Sequence, residues 1–197
     1  MQVKDSTPEG LVRAYIRAKD ENRPHLMERV FAAGARLEMM VKSETISFPP
    51  LTRGLASITD VLVRNFATTY ENVYTFCLER PDLQTRDSGF SCDWLVGMSE
   101  REGGRVRVGC GRYDWQFSFE GSFLVDRLVI TIEVMQVLPP GCNKAVFEWL
   151  SGLPYPWCGA ETIGNTVPDI EGIKPVIEYL TRKERTKSQA VSLNRKV

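Results

Sequence analysis

Apolar and polar residues recur along the chain with two different periods, and these periods divide it into helices and strands. In the first third, apolar positions recur every three or four residues, which is the spacing of one helix face. The first helix begins at Thr7-Pro8, since a hydroxyl cap followed by proline is a typical helix start. A second helix is predicted from residue 23 to Gly34. A third helix begins at Arg53-Gly54 and carries apolar residues along the face that is predicted to be buried.

From residue 73 onward the period of the apolar positions changes to two, which is typical of strands. The predicted strands cover residues 36–41, 73–79, 90–98, 105–119 and 124–137. Helices precede the run of strands instead of alternating with them. The pattern therefore predicts an α+β fold, with a curved antiparallel sheet wrapped on three N-terminal helices.

The last predicted strand assigns its side chains to two faces. One face, expected to pack on the helices, consists of Leu128, Ile130, Ile132 and Val134. Alternation then places Glu133 and Met135 on the opposite, outward face.

The segment after Pro139-Pro140-Gly141 is predicted to be a partly helical extension, residues 139–197, on a domain of residues 1–138. Helices expected near 144–150 and 174–185 carry apolar stripes that must be buried. We expect the extension to pack on the open end of its own domain, and the tail from about 186 to be disordered. The sequence does not distinguish two roles for the extension, which are closing a pocket and docking on a neighbouring subunit.

Charge and cysteine usage narrow the class of protein. The chain has 25 basic and 25 acidic residues, so it gives no general reason to bind nucleic acid or an anionic membrane. No run approaches the roughly 20 apolar residues of a membrane span, and the N-terminus lacks the apolar core of a signal peptide. The five cysteines are dispersed, which indicates reduced thiols and predicts a cytoplasmic protein.

The candidate nucleophiles and metal ligands are few. His25 is the single histidine and is expected at the surface, which argues against a Ser-His-Asp triad and a histidine-rich metal site. Cys110 lies between two glycines, but no histidine is available to activate its thiol. The sequence therefore predicts no metal and no cofactor.

The order of elements over residues 8–137 resembles the nuclear-transport-factor-two-like superfamily, which includes ketosteroid isomerases and SnoaL-like cyclases. Its most specific parts are residues 31–38, the Arg53-Gly54-x-x-x-Ile58 segment and the paired strands over 113–119 and 128–134. The resemblance implies a cone-shaped half barrel around an apolar pocket, and a homodimer formed through the outer sheet face. It does not assign a function, because one scaffold of this kind hosts many activities.

The resemblance also allows a comparison of site residues. Tyr15 falls where the isomerases place the tyrosine of their oxyanion hole, whereas Met39 and Trp115 fall where they place two acids. Neither replacement can transfer a proton, so a soft wall for a flat apolar ligand is favoured over isomerase chemistry. The leading hypothesis is a binding protein for a small hydrophobic ligand, with a pocket lined by Tyr15, Met39, Phe48, Trp94, Tyr113 and Trp115.

Asp114 is the residue on which an enzymatic alternative depends. Alternation places it on the polar strand face with Arg112, but a β-bulge would turn it inward. It would then act with Tyr15 in a SnoaL-like cyclase, dehydratase or isomerase. A third hypothesis is a non-enzymatic dimerisation or interaction module, in which the extension from Gly141 fills or caps the pocket.

Overall fold

A computed structural model describes residues 7–82, 88–118 and 122–182 of the chain. The first elements are α1 (Pro8–Asp20), a 3₁₀ helix (Pro24–Arg29), β1 (Phe31–Val41), β2 (Leu51–Arg53), α2 (Leu55–Thr59), a π-helical turn (Asp60–Arg64) and α3 (Asn65–Thr69). The long strands are β3 (Tyr70–Cys77), β4 (Gly89–Glu100), β5 (Val106–Ser118) and β6 (Leu124–Leu138). The extension contains α4 (Asn143–Ser151), α5 (Ala160–Thr166) and α6, which is helical over 174–182 where the described residues end.

Within the described residues, six strands form one curved, unclosed sheet in the order β2-β1-β6-β5-β4-β3. Neighbouring strands are antiparallel except β1 and β6, which run parallel with Met39 opposite Ile130. The predicted α+β class is confirmed, and β4, β5 and β6 end within two residues of their predicted limits. The parallel pair and the short strand β2 were not predicted.

The helices that cover the inner face of the sheet begin as the sequence indicates. The Thr7 hydroxyl accepts a hydrogen bond from the Gly10 N–H at 3.1 Å, which caps α1. The stretch from α2 to α3 buries Ile58, Leu62 and Phe66 against the same core. Both helical segments therefore pack on one side of the sheet and leave the other side to the extension.

The segment after α1 differs from the prediction. A 3₁₀ helix over Pro24–Arg29 replaces the predicted second helix, and β1 begins at Phe31 instead of Arg36. Phe31 is only 1% exposed and pairs with Val125 in β6, so pairing within the sheet overrides the helical spacing up to Gly34. The pairing is irregular between Phe31 and Arg36, as at a β-bulge.

A second irregularity lies at Glu133 in β6. Ile132 and Val134 pair with successive residues of β5, so Glu133 between them has no partner residue. Because side chains alternate along a strand, one extra residue exchanges the two faces beyond it. Met135, predicted to face outward, therefore packs in the inner core, and Val134, predicted to face the helices, packs with the extension.

The extension packs on the outer face of the sheet and not at the open end where we expected it. Its helices share an apolar core with β3, β4 and β5, which includes Phe76, Leu95, Val108, Cys110, Val146, Leu150, Ile163, Val176 and Leu180. The physical reason lies in β5. Residues 106, 108 and 110 are apolar on the same face where 112, 114 and 116 are polar, so one half of this strand needs a cover.

A proline-containing segment, residues 153–158, ties the extension to β3 at the sheet edge. The Cys77 N–H donates to the Pro156 carbonyl at 2.8 Å, and the Cys158 N–H donates to the Cys77 carbonyl at 3.0 Å. These two bonds satisfy backbone groups that an edge strand would otherwise leave open.

The part of the outer face that the extension leaves uncovered is formed by β1, β6 and the polar end of β5, residues 112–116. There Met40 is 54% exposed, and Arg127 donates two hydrogen bonds of 2.8 Å to the Glu38 carboxylate. The homodimer expected through the outer face stays a prediction, and this is the area still open to it. No helix in the described ranges is long and apolar enough to cross a membrane.

Candidate functional site

A cavity lies between α1, the stretch from α2 to α3 and the inner face of the sheet. Its lining consists of Tyr15, Lys19, Met39, Ile46, Phe48, Leu62, Phe66, Trp94, Val96, Met98, Tyr113, Ile130, Ile132 and Met135. The empty space is about 440 Å³, part of which is open to solvent, and about 50 Å³ of it can hold the centre of a water molecule. The space open to water centres is far below the roughly 300–1,000 Å³ of ordinary ligand pockets, so the cavity has room for a molecule of one ring at most.

Four aromatic side chains form one wall of this cavity and the layer behind it. Trp94 and Tyr113 stack with ring centroids 5.5 Å apart, and Tyr15 meets Tyr113 edge-on at 5.9 Å. Trp115 contacts Tyr15 at 5.1 Å but lies outside the lining. Five of the six residues expected in the pocket therefore line it, and Trp115 supports them from behind.

Two glycines of β5 make room for side chains of the cavity wall. A Cβ atom at Gly111 would overlap the Trp94 ring and the backbone of Thr131, and one at Gly109 would overlap the Met135 thioether. The Gly-x-Gly pattern therefore belongs to the interior of a strand, where it lets large neighbours approach the backbone.

Two of the buried polar atoms of the wall are hydrogen-bond donors that make no normal hydrogen bond. Among the described residues, the buried Trp94 indole N–H has no hydrogen-bond partner, and the buried Tyr15 hydroxyl interacts with the Tyr113 phenol but makes no hydrogen bond of normal geometry. Burial raises the pKa of the Tyr15 and Tyr113 phenols well above the ordinary value, so both are neutral at physiological pH.

Lys19 is the one charged residue of the described lining, and our sequence reasoning missed it. Its ammonium donates to Asp20 Oδ1 and to Thr75 Oγ1, both at 2.7 Å, and lies 5.1 Å from the centre of the Phe66 ring. A signal was available, because Lys19 follows Tyr15 by four residues and such residues share a helix face. The four-residue spacing therefore indicates a lysine on the side of α1 that faces the predicted pocket.

The segment of residues 42–50 closes the mouth of the cavity with Ile46 and Phe48. The Thr45 hydroxyl donates to the Met135 carbonyl at 2.8 Å, and Arg107 Nη1 donates to the Thr45 carbonyl at 2.6 Å. Arg107 is itself held by Glu100, 2.7 Å from its Nε. Burial alone would raise the pKa of Glu100, but hydrogen bonds from Arg105 and Arg107 outweigh it and hold this pKa below the ordinary value.

Known proteins were compared with this chain in sequence and in fold. No family model and no curated protein matches the chain. Among solved structures, an NTF2-like superfamily protein from Salmonella enterica is 13% identical, with a TM-score of 0.51 over 64% of this chain and 88% of that one. Hexachlorocyclohexane dehydrochlorinase LinA-type3 from Novosphingobium barchaimii is 13% identical, with a TM-score of 0.53 over 65% of this chain and 85% of that one. This chain has the nuclear-transport-factor-two-like fold.

In this nuclear-transport-factor-two-like fold, Asp114 lies on the outer face of β5. Its side chain is 41% exposed and accepts hydrogen bonds from Ser91 at 2.5 Å and from Arg112 at 3.1 Å. Trp115 beside it is 1% exposed and faces inward, in contact with Tyr15. The structure therefore does not bring Asp114 and Tyr15 together, as the enzymatic alternative requires.

The remaining sequence candidates lie away from the cavity. His25 is exposed on the 3₁₀ helix, and Glu133 pairs with Lys42 at 2.9 Å. Cys110 is buried under the extension, and burial raises the pKa of its thiol to about 12, so the thiolate is not formed at neutral pH. Within residues 7–82, 88–118 and 122–182, no group of three or more His, Cys, Asp and Glu side chains could hold a metal ion.

Proposed function

We propose that this protein binds a small hydrophobic ligand in the cavity beneath α1. The observation that carries the proposal is the combination of an apolar wall with two buried donors, the Tyr15 hydroxyl and the Trp94 N–H, that make no normal hydrogen bond to the described residues. An unsatisfied buried polar group costs about 1–3 kcal/mol. A ligand that accepts a hydrogen bond would remove this cost, while its apolar part replaces water along the wall.

The chemistry of the lining favours binding over turnover. Lys19 is the one charged residue among the described residues of the lining, and no carboxylate faces the space. The Met39 and Ile130 side chains on neighbouring strands give the ligand an apolar surface instead. A neighbour in fold is named for dehydrochlorination of hexachlorocyclohexane, which supports the idea that a cavity of this architecture accepts a small apolar molecule.

A matched pair of substitutions on one strand tests the proposal. Met39 lines the cavity, whereas Met40 is exposed on the opposite face of β1. A thermal-shift screen of single-ring apolar compounds should find ligands that stabilise the wild-type protein, by about 2.7 kcal/mol at 100 times their dissociation constant. Met39→Trp should abolish this stabilisation by filling the cavity, and Met40→Trp should retain it.

Two outcomes count against the proposal. One is a screen in which no apolar compound stabilises the wild-type chain. The other is an equal response of both tryptophan variants to the same compound, which would place its binding site elsewhere on the molecule. The quenching of tryptophan fluorescence on ligand addition gives an independent readout, because Trp94 stands in the cavity wall.

A further inference from the structure

The ammonium of Lys19 is the polar group in the cavity that the proposed function leaves unexplained. Its side chain is 7% exposed, and that of its ion-pair partner Asp20 is 3% exposed, so both charges are buried. Burying a charge pair has a high desolvation cost, so its presence in the cavity wall points to a functional role. Apolar residues alone would close this end of the cavity without that desolvation cost.

One donor of the ammonium is free to serve a ligand. A lysine has three N–H donors, and the described partners of Lys19 are two acceptors, Asp20 Oδ1 and Thr75 Oγ1. The nitrogen also lies within 5.1 Å of the Phe66 ring centre, and Phe66 lines the same cavity. The ammonium therefore borders the space with a donor to spare.

The charge of Lys19 is already balanced. Asp20 lies 2.7 Å from the ammonium, so the pair is close to neutral as a unit. A ligand carboxylate at this point would add a buried negative charge with no counter-charge of its own, which is strongly unfavourable. A neutral oxygen acceptor would take the remaining donor at no such cost.

Given the ligand site proposed above, we infer that its ligand is a neutral, single-ring molecule with an oxygen acceptor, and that Lys19 binds this oxygen. The ring lies along the aromatic and thioether wall. The oxygen points toward the α1 end of the cavity, where Lys19 and the Tyr15 hydroxyl, one helical turn apart, both donate. Lys19 is thus the residue that determines which apolar molecules are accepted.

The extension holds Lys19 in place through Asp20. The Tyr155 hydroxyl donates to Asp20 Oδ2 at 2.9 Å, and the Thr75 N–H donates to the same oxygen at 2.7 Å. Thr75 Oγ1 contacts Oδ1 at 2.8 Å, so both carboxylate oxygens are fixed. Tyr155 is therefore a positioning residue that connects the extension on the outer face to the ligand site on the inner face.

Three probes with the same number of non-hydrogen atoms test the inference on the full-length wild-type chain. Acetophenone carries a neutral acceptor, cumene has a similar shape without oxygen, and benzoate is an anion at neutral pH. Calorimetry or ligand-observed NMR gives their dissociation constants. We expect acetophenone to bind at least tenfold more tightly than benzoate. Benzoate binding as tightly as acetophenone, or more tightly, would overturn the inference.

The Lys19→Met variant identifies the side chain responsible. Methionine keeps most of the length of the side chain and removes the donor, so acetophenone binding should weaken about tenfold, which corresponds to about 1.4 kcal/mol. Cumene binding should stay within twofold, which also shows that the variant is folded. Equal losses for both probes, or no loss for acetophenone, would contradict the assignment.

Tyr155→Phe provides a second test in case the Lys19 variant does not fold. It removes the hydroxyl that holds Asp20, and we expect acetophenone binding to weaken severalfold while cumene binding is unchanged. Tyr74→Phe is the control, because Tyr74 packs near Tyr155 and has no part in the Asp20 contacts. Equal effects of the two variants would overturn the positioning role, whereas failure of every probe to bind the wild-type chain would instead disprove the ligand site itself.

Discussion

A methyl group at position 111 would overlap the backbone of Thr131 and the ring of Trp94. The backbone of a central strand has little room to move, since β5 is paired on both sides. Gly111 is therefore a condition for the aromatic wall, because it allows Trp94 to lie flat against the strand beside Tyr113.

At the residue scale we expect Gly111→Ala to destabilise the protein by about 3 kcal/mol, at the upper end of typical overpacking costs. The change in the free energy of unfolding can be measured by urea denaturation. Gly141→Ala is the matched control, since a Cβ there has no atom within 4 Å, and it should change stability by less than about 0.5 kcal/mol. Equal stability of the two variants would show that β5 relaxes around the added methyl.

Single side chains also show how far the sequence alone could define the site. Alternation predicts the facing of Asp114, and the resemblance predicts Tyr15 beside a pocket; Asp114 lies on the outer face, and Tyr15 lines the cavity. The bulge at Glu133 could not be predicted in this way. No residue type near it indicates an extra residue, and its neighbours Ile132 and Val134 continue the apolar pattern. The face that each side chain takes beyond the bulge depends on how β6 pairs with β5, and this pairing is a property of the tertiary structure.

At the scale of elements, α4 is attached to the sheet through one small residue opposite one large one. Gly97 in β4 has no side chain, and the space of its missing Cβ is filled by Leu150. Leu150 is fully buried in the core that α4 shares with β4 and β5. The helix is thereby fixed in position along the strand.

We expect Leu150→Ala to lower the free energy of unfolding by about 3 kcal/mol, because it removes a buried side chain and leaves a cavity against Gly97. Thermal or urea unfolding measures the change. Lys144→Ala on the exposed side of the same helix is the control and should have little effect, since its ion pair with Glu148 is exposed. A small effect of Leu150→Ala would mean that α4 contributes little to the stability of the domain.

The strands were predicted well and the second helix was not, for a physical reason. Strands β4, β5 and β6 are long, and their alternation and turn residues agree over many positions. The predicted second helix rested on only three apolar positions, Leu26, Val30 and Ala33, and the strand begins directly after Val30, where Phe31 pairs with Val125. Local spacing over so few residues is outweighed by pairing with a distant strand.

At the scale of the whole molecule, the extension and the sheet depend on each other. Phe76, Leu95 and Val108 form an apolar patch on the outer face that the helices of the extension bury. Exposed patches of this kind favour association with other proteins. The extension therefore prevents the use of this part of the sheet as an interface.

A chain that ends at residue 138 should self-associate or precipitate at concentrations where the full chain does not. Sedimentation velocity and the fluorescence of a dye that binds apolar surfaces would measure this. The Leu150→Ala variant, which retains the extension, serves as the control for a general loss of stability. A truncated chain that sediments as the full chain does, without dye binding, would show that the outer face needs no cover.

The bulge at Glu133 has a consequence for how this pocket can change in evolution. If Glu133 took a regular place in the ladder, alternation would turn the sulfur of Met135 out of the cavity and bring the branched side chain of Val134 into it, whereas deletion of Glu133 would leave Met135 inside, opposite Gly109. A change that removes the bulge but keeps its residue is therefore a route to a new ligand preference that a comparison of wall residues position by position would overlook.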